Sequence, residues 1–429
     1  MSFDFSARRE RMASALALTD EILLAGAGQP VPKPEISDAL LPFIAHQEYF
    51  YLTGLADAIG GIIAYDPRLS PREGWTSFVP EVTEAERVWE GREQLPGELL
   101  GRFHLWLDAR RWRRIVMLGA PVPGVTSDPK RTAEVREVYA HARRPKEPEE
   151  IELLLRGAGA TAAGYATIQP LLRPGVSERR LQVELEAEYF RHGAQTTGYD
   201  TIVGVGARSA VFHGSPSPER KAREGDFILI DSGAQLDRYV TDVTRTYVAG
   251  TPSGFQRELY QAVLGAQIRA CERCRPGAEW KDIHLSTAVD LMAGFVALGV
   301  LNGDPAALVE REAHLLFFPH GVGHMVGLGV RDAGGMEPGR TKDPRPSLRN
   351  LRMDLILRPG YVVTVEPGLY FIPAILNDPV RREKYRDCVN WPLVEEHLTL
   401  GGVRIEDNIL VTEHAPVNLT AAIPKQGSW

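Results

Sequence analysis

The stretch DFILIDSGAQLDRYVTDVTRTYV, residues 226–248, decides the reading of this chain. Two apolar, β-prone runs flank a turn-rich centre. The segment therefore reads as a hairpin turning around residues 233–237, with strands over 226–231 and 239–248. Each strand carries an acid where a buried strand should be apolar: Asp231 ends the first and Asp242 lies inside the second. A turn centred near Leu236 and Asp237 places the two acids close to directly opposite, where facing Cβ atoms lie about 5 Å apart. Two carboxylates that close repel unless a cation sits between them.

Further along stand three more metal-capable residues. Glu366 closes the run YVVTVE (361–366), ahead of Pro367 and Gly368. Glu406 lies in VRIEDNILVT (403–412), where alternation sets Arg404 and Glu406 on one face. His324 ends the Gly-rich segment PHGVGH (319–324). An oxygen-rich site with one imidazole suits Mn²⁺, and also Zn²⁺ or Co²⁺. Four carboxylates and a histidine are enough for two such ions. Taken singly, each residue has an ordinary reading: Asp231 as a turn former, Glu406 paired with Arg404, His320 as a loop histidine. Residue types and spacing leave a metal site and scattered ion pairs both open.

Around the hairpin the pattern is mixed. Helical spacing covers about 149–165, 179–193 (with Ser177 as N-cap), 254–274 and 281–299. The stripe Ile151, Leu154, Leu155 and Ala158 reads as core packing. Strand signals recur at 201–205, 361–366 and 403–412, which predicts an α+β domain with a mainly antiparallel sheet. Before it, a helix at 8–19 and apolar runs at 22–25, 49–55, 59–65 and 115–119 predict a smaller α/β domain with a partly parallel sheet. A charged, Pro-containing stretch puts the boundary near Pro145, giving domains over 1–145 and 146–429.

The 429 residues exceed what one core accommodates. Lys plus Arg number 49 against 56 Asp plus Glu, a net charge of −7, which argues against a nucleic-acid partner held by phosphate contacts. Three cysteines exclude a disulfide framework, and Cys271 and Cys274, with only Cys388 elsewhere, are too few for a zinc site. No window offers a membrane span and no leader is evident, so a cytoplasmic protein without a membrane partner is the expectation. Gly204-Val205-Gly206 lacks the third glycine of a dinucleotide loop.

The segments DSGAQLDRYVTDVTRTY, HGVGHMVGL, TVEPGLYF and GGVRIEDNILVTE resemble the four metal-site segments of the pita-bread metallopeptidases. Nearest in pattern are aminopeptidase P and prolidase, which cut Xaa-Pro bonds. RRERMASAL (8–16) and FYLTGL (50–55) resemble the creatinase-type N-terminal domain of those enzymes. The resemblance implies a C-terminal pita-bread catalytic domain behind a smaller α/β domain. It implies two divalent ions per chain, manganese foremost, held by Asp231, Asp242, His324, Glu366 and Glu406, with Asp242 and Glu406 bridging. Glu366 would also shuttle the proton. His213 would hydrogen-bond substrate, His320 would stand beside it, and Tyr370 and Arg404 would flank the site. Proline-containing peptides are the implied substrates and a homodimer the implied assembly.

Two departures from the family pattern matter. Arg331 stands where the family usually has a histidine, and a guanidinium stays charged at any working pH. Residues 390–393 (NWPL) lack the arginine with which dipeptide-cutting prolidases grip a free carboxylate. The expected activity is therefore removal of the N-terminal residue from Xaa-Pro peptides, as in aminopeptidase P. The alternatives are a prolidase restricted to dipeptides, with Arg331 supplying the grip, a creatinase-like C–N hydrolase, and a metal-free module that only binds peptides or proteins.

Overall fold

Ile22, Leu24, Ile62, Ala64, Phe78 and Met117 recur at alternate positions, and in the computed structural model they form one buried cluster on a single sheet face. The structure describes residues 3–34, 40–349 and 351–425. It divides into two units, residues 1–143 and 144–429. In the first, the strand order is Glu98–Leu99, Trp75–Val79, Ile62–Tyr65, Ile22–Gly26, Ile115–Gly119. Ile22–Gly26 runs parallel to Ile115–Gly119 and antiparallel to Ile62–Tyr65, so the sheet is partly parallel as expected. Helices Phe5–Leu16, Gln47–Thr53 and Pro129–Arg143 belong to the same unit.

The second unit gathers four long helices with several small antiparallel sheets. The helices are Pro148–Ile168, Glu178–Arg191, Gly254–Arg273 and Trp280–Ala297. Ser177 caps the second, its hydroxyl accepting from the Arg180 N–H at 3.1 Å, a contact worth about 1 kcal/mol. Leu154 and Ala158 are buried as predicted, whereas Leu155 is 49% exposed. The buried stripe runs instead through Gly157, Thr161 and Gly164. These small residues let the helix lie against its neighbours: a Cβ at Gly157 would stand 2.7 Å from Thr241 Oγ1.

The decisive hairpin differs from its reading by one residue at the turn. Asp237 and Arg238 both have positive φ, 46° and 71°, a type I′ geometry, so the turn lies between Leu236 and Tyr239. Asp231 therefore pairs with Thr244, not with Asp242. The ladder bond from Ser232 to Val243 sets Gly233 across from Asp242, and a Cβ on Gly233 would collide with the Thr241 carbonyl. The predicted strand 239–248 is accordingly broken into Tyr239–Val240 and Thr244–Val248. Asp242 remains a diagonal neighbour of Asp231 on the same face, because each offset of two preserves the face.

The run 403–412 is likewise split, into Gly402–Arg404 and Asp407–Leu410. The first pairs with Gly368–Tyr370 and the second with Val362–Val365. Glu406 sits at the break between the two sheets. Large apolar residues from the helices and these strands, among them Trp280, Leu291, Phe295, Phe317 and Val365, form the continuous core beneath.

Candidate metal centre

The backbone of Asp242 is held at both ends by one side chain. Its N–H donates to Asn408 Oδ1 at 3.0 Å, and its carbonyl accepts from Asn408 Nδ2 at 2.6 Å. The Glu406 N–H donates to the Thr244 carbonyl at 3.1 Å, and Thr244 Oγ1 donates to Glu406 Oε2 at 2.7 Å. His324 comes from a loop that lies along Val362–Val365. The His324 N–H donates to Thr364 Oγ1, the Thr364 N–H to the His324 carbonyl, and the Glu366 N–H to the Val322 carbonyl. Only glycine fits at 323, since a Cβ there would strike the Thr364 carbonyl. This close approach sets His324 beside Glu366.

The five residues expected as ligands line one cavity of about 890 Å³. His324 Nε2 lies 3.4 Å from Asp242 Oδ2 and 3.8 Å from Glu366 Oε1. Ligand-capable atoms of Asp242, His324 and Glu406 all fall within 4.8 Å of one another. Asp231 enters the group through two other contacts: its Oδ2 accepts from Arg404 Nη2 at 2.6 Å and its Oδ1 from Tyr199 OH at 2.7 Å.

Crowding of buried acids dominates the electrostatics. Burial, with the Asp231 charge added, pushes the Asp242 carboxyl well above its ordinary range. Burial and the charge of Asp242 do the same to Glu406. Burial lifts Glu366 to about 7, against the pull of Arg404. Burial lowers the His324 imidazole to about 4, so the ring is neutral at working pH. Its Nδ1 faces the Met325 carbonyl at 2.9 Å and donates to it, which leaves the Nε2 lone pair directed at the acids. Repelling carboxylates, a neutral imidazole with a committed second nitrogen, and a shared polar cavity are the donor set of a divalent-cation centre. The residues present fit divalent-cation binding.

The wall beyond the acids is ordered too. Arg404 Nη1 donates to Tyr370 OH at 3.1 Å, and that hydroxyl stands 2.9 Å from His320 Nε2. His320 Nδ1 faces the Gly321 carbonyl at 2.8 Å, and burial lowers the ring to about 3. A neutral His320 thus donates from Nδ1 and accepts the Tyr370 hydroxyl at Nε2, so both ring nitrogens are engaged. Phe212 packs edge-on against Tyr370 and His320, at ring separations of 4.8 and 5.4 Å. His213, next in the chain, also lines the cavity.

Arg331 lines the cavity and is exposed. Arg352, which sequence reasoning passed over, does the same. Neither has a hydrogen-bond or ion-pair partner among the described residues. Residues 390–393, where a carboxylate-gripping arginine was sought, instead open the helix Trp391–Glu396. Tyr199, Thr244 and Asn408 were also missed. The usable signal was the run of threonines, with Arg245, in a strand that is wholly buried.

A model of metallopeptidase family M24 matches residues 152–413. The Xaa-Pro aminopeptidase of Escherichia coli strain K12 is 36% identical over 292 residues, covering 68% of this chain and 59% of that one. A probable Xaa-Pro aminopeptidase of Coccidioides posadasii strain C735 is 27% identical over 416 residues, with 90% and 87% covered. Among solved structures, E. coli aminopeptidase P with the inhibitor Pro-Leu superposes with a TM-score of 0.79 at 25% identity, covering 100% of this chain and 97% of that one. Pseudomonas aeruginosa aminopeptidase PepP gives 0.79 at 25% identity, with 99% and 96% covered. The α+β, pita-bread fold expected from the sequence is thereby borne out.

Proposed function

This chain belongs to metallopeptidase family M24, and we propose that it hydrolyses the bond between an N-terminal residue and a following proline. A prolyl nitrogen carries no N–H and its φ is fixed, so peptidases that grip that hydrogen do not serve. The observation that carries the proposal is the convergence of Asp231, Asp242, His324, Glu366 and Glu406 on one cavity. Relatives at 36% and 27% identity bear the Xaa-Pro aminopeptidase name.

In this reading Asp231, Asp242, His324, Glu366 and Glu406 would hold two divalent cations, with Mn²⁺ as the preferred ion. Bound there, the ions supply Lewis acidity to the scissile carbonyl and to the attacking water. The chain's own residues do the rest. Glu366, beside His324 in the cavity, takes the proton from water and returns it to the departing prolyl nitrogen. Arg404 holds Asp231 and, through Tyr370, fixes the wall on which the substrate lies. His213 donates to a substrate carbonyl, and His320 orients Tyr370. Proline-containing peptides are the substrates, and a cytoplasmic homodimer is the proposed working form. Among the described residues no helix is long and apolar enough to cross a membrane.

A second reading, cleavage of Xaa-Pro dipeptides alone, is favoured by one observation: the guanidinium groups of Arg331 and Arg352, unpaired among the described residues, in the same cavity. A length series separates the two. Xaa-Pro-Xaa tripeptides and longer peptides turned over with Mn²⁺ support the aminopeptidase. Turnover of dipeptides alone supports the second reading, and no turnover of any Xaa-Pro peptide rejects both.

A further inference from the structure

Asp242 and Glu406 are positioned by residues that do not line the cavity. Thr244 and Arg245 are neighbours on one strand, so their side chains leave on opposite faces. Thr244 holds the Glu406 carboxylate, and Arg245 Nη1 donates to the Glu406 carbonyl at 2.6 Å. Glu406 is thus gripped from both sides. Asn408 brackets the backbone of Asp242.

These grips all lead to the end of the described chain. The Asn408 N–H donates to Thr420 Oγ1 at 3.1 Å. Arg245 donates to the carbonyls of Ile423, at 2.8 Å, and Pro424, at 3.1 Å. Asp407, adjacent to Glu406 and facing away from it, is the hub. One carboxylate oxygen accepts from Arg245 Nη2 and Thr420 Oγ1, each at 2.8 Å. The other accepts from Gln267 Nε2 at 2.9 Å and stands 2.7 Å from Lys425 Nζ. Arg245, Asp407, Gln267 and Thr420 are fully buried. Well-packed apolar residues would serve bulk stability there as well as an ionic cluster does. Directional bonds to the backbones of two ligand-bearing positions do something apolar packing cannot: they fix the aim of the side chains.

We propose that residues 418–425 form a positioning clasp for the cation centre, acting through Thr420 and Lys425 on Asp407, Asn408 and Arg245 to aim Asp242 and Glu406 at the bound ions. The inference rests on the metal-centre reading above. None of the clasp residues lines the cavity, so they are positioning residues.

The test uses the full chain with Lys425→Met, Lys425→Arg and Thr420→Val, each stripped with a chelator. Calorimetry gives the Mn²⁺ dissociation constant, and thermal unfolding of the stripped chain is followed in parallel. Supporting partners behind metal ligands are typically worth roughly tenfold to hundredfold in affinity. Lys425→Met and Thr420→Val should weaken Mn²⁺ binding by roughly tenfold or more, and Lys425→Arg should recover most of it. An unchanged dissociation constant in both, with or without a lower Tm, overturns the clasp and leaves the metal centre standing. A parent chain that binds no Mn²⁺ takes both down.

Discussion

His324 Nε2 lies 3.4 Å from Asp242 Oδ2, while the other ring nitrogen of His324 is committed to the Met325 carbonyl. A neutral imidazole so oriented has a lone pair and no proton to offer the acid. The pair makes sense as two donors to a third body.

Glu366 is the carboxylate proposed to carry the proton in turnover. Glu366→Gln keeps the side-chain shape and removes the exchangeable proton. Turnover of an Xaa-Pro tripeptide should fall by ~10²–10⁴ with the circular dichroism spectrum retained, as for other general acid–base groups. A kcat within a fewfold of the parent contradicts the role.

The crowded acids make cation binding a proton-releasing event. In the metal-free chain Glu366 sits at about 7, above its ordinary 4.5. Its raised value favours the folded state below the ordinary value, and that contribution is lost as pH rises through about 7. A cation must displace the proton, so Mn²⁺ affinity should climb with pH by about tenfold per unit for each proton displaced, the contribution of Glu366 ending once pH passes about 7. Calorimetry in buffers of different ionisation enthalpy reads the released protons. Glu366→Gln should release fewer of them.

Arg331 and Arg352 are charged, exposed to the cavity and unpaired among the described residues. A free peptide carboxylate is an apt partner for either. Arg331→Met should lower the ratio of kcat/KM for an Xaa-Pro peptide acid over its C-terminal amide by roughly tenfold. An unaltered ratio removes Arg331 from substrate recognition.

Lys146 and Asp332 form an ion pair at 3.0 Å with both side chains out of solvent. Asp332 also receives the Leu328 and Ala333 N–H groups, and so closes the loop that carries His324 and Arg331. Lys146→Met removes one partner of a buried ion pair, a change that costs about 3–5 kcal/mol. Urea unfolding of the metal-free variant measures it, and a loss under 1 kcal/mol would show that the loop closes without the pair.

The two acids of the hairpin were legible because they break a rule: Asp231 and Asp242 lie in apolar, β-prone runs and are buried. Their register was not legible. The type I′ turn falls on Asp237 and Arg238, with no glycine to announce positive φ, and a one-residue shift at the turn moves the pairing by two. The supporting partners were hidden for another reason. Asn408 reaches Asp242 across 166 positions, and Arg404 reaches Asp231 across 173, separations no local pattern reports. Arg352 lay in a charged, turn-rich stretch that looks like any solvated surface.

The most direct measurement is a titration of the chelator-stripped chain with Mn²⁺, read for bound equivalents and for Xaa-Pro hydrolysis at each point. The account predicts two equivalents per chain in the parent, with hydrolysis appearing as they bind, and loss of both in Asp242→Ala. A folded parent chain that takes up no Mn²⁺, or that hydrolyses Xaa-Pro peptides equally well when stripped, contradicts it.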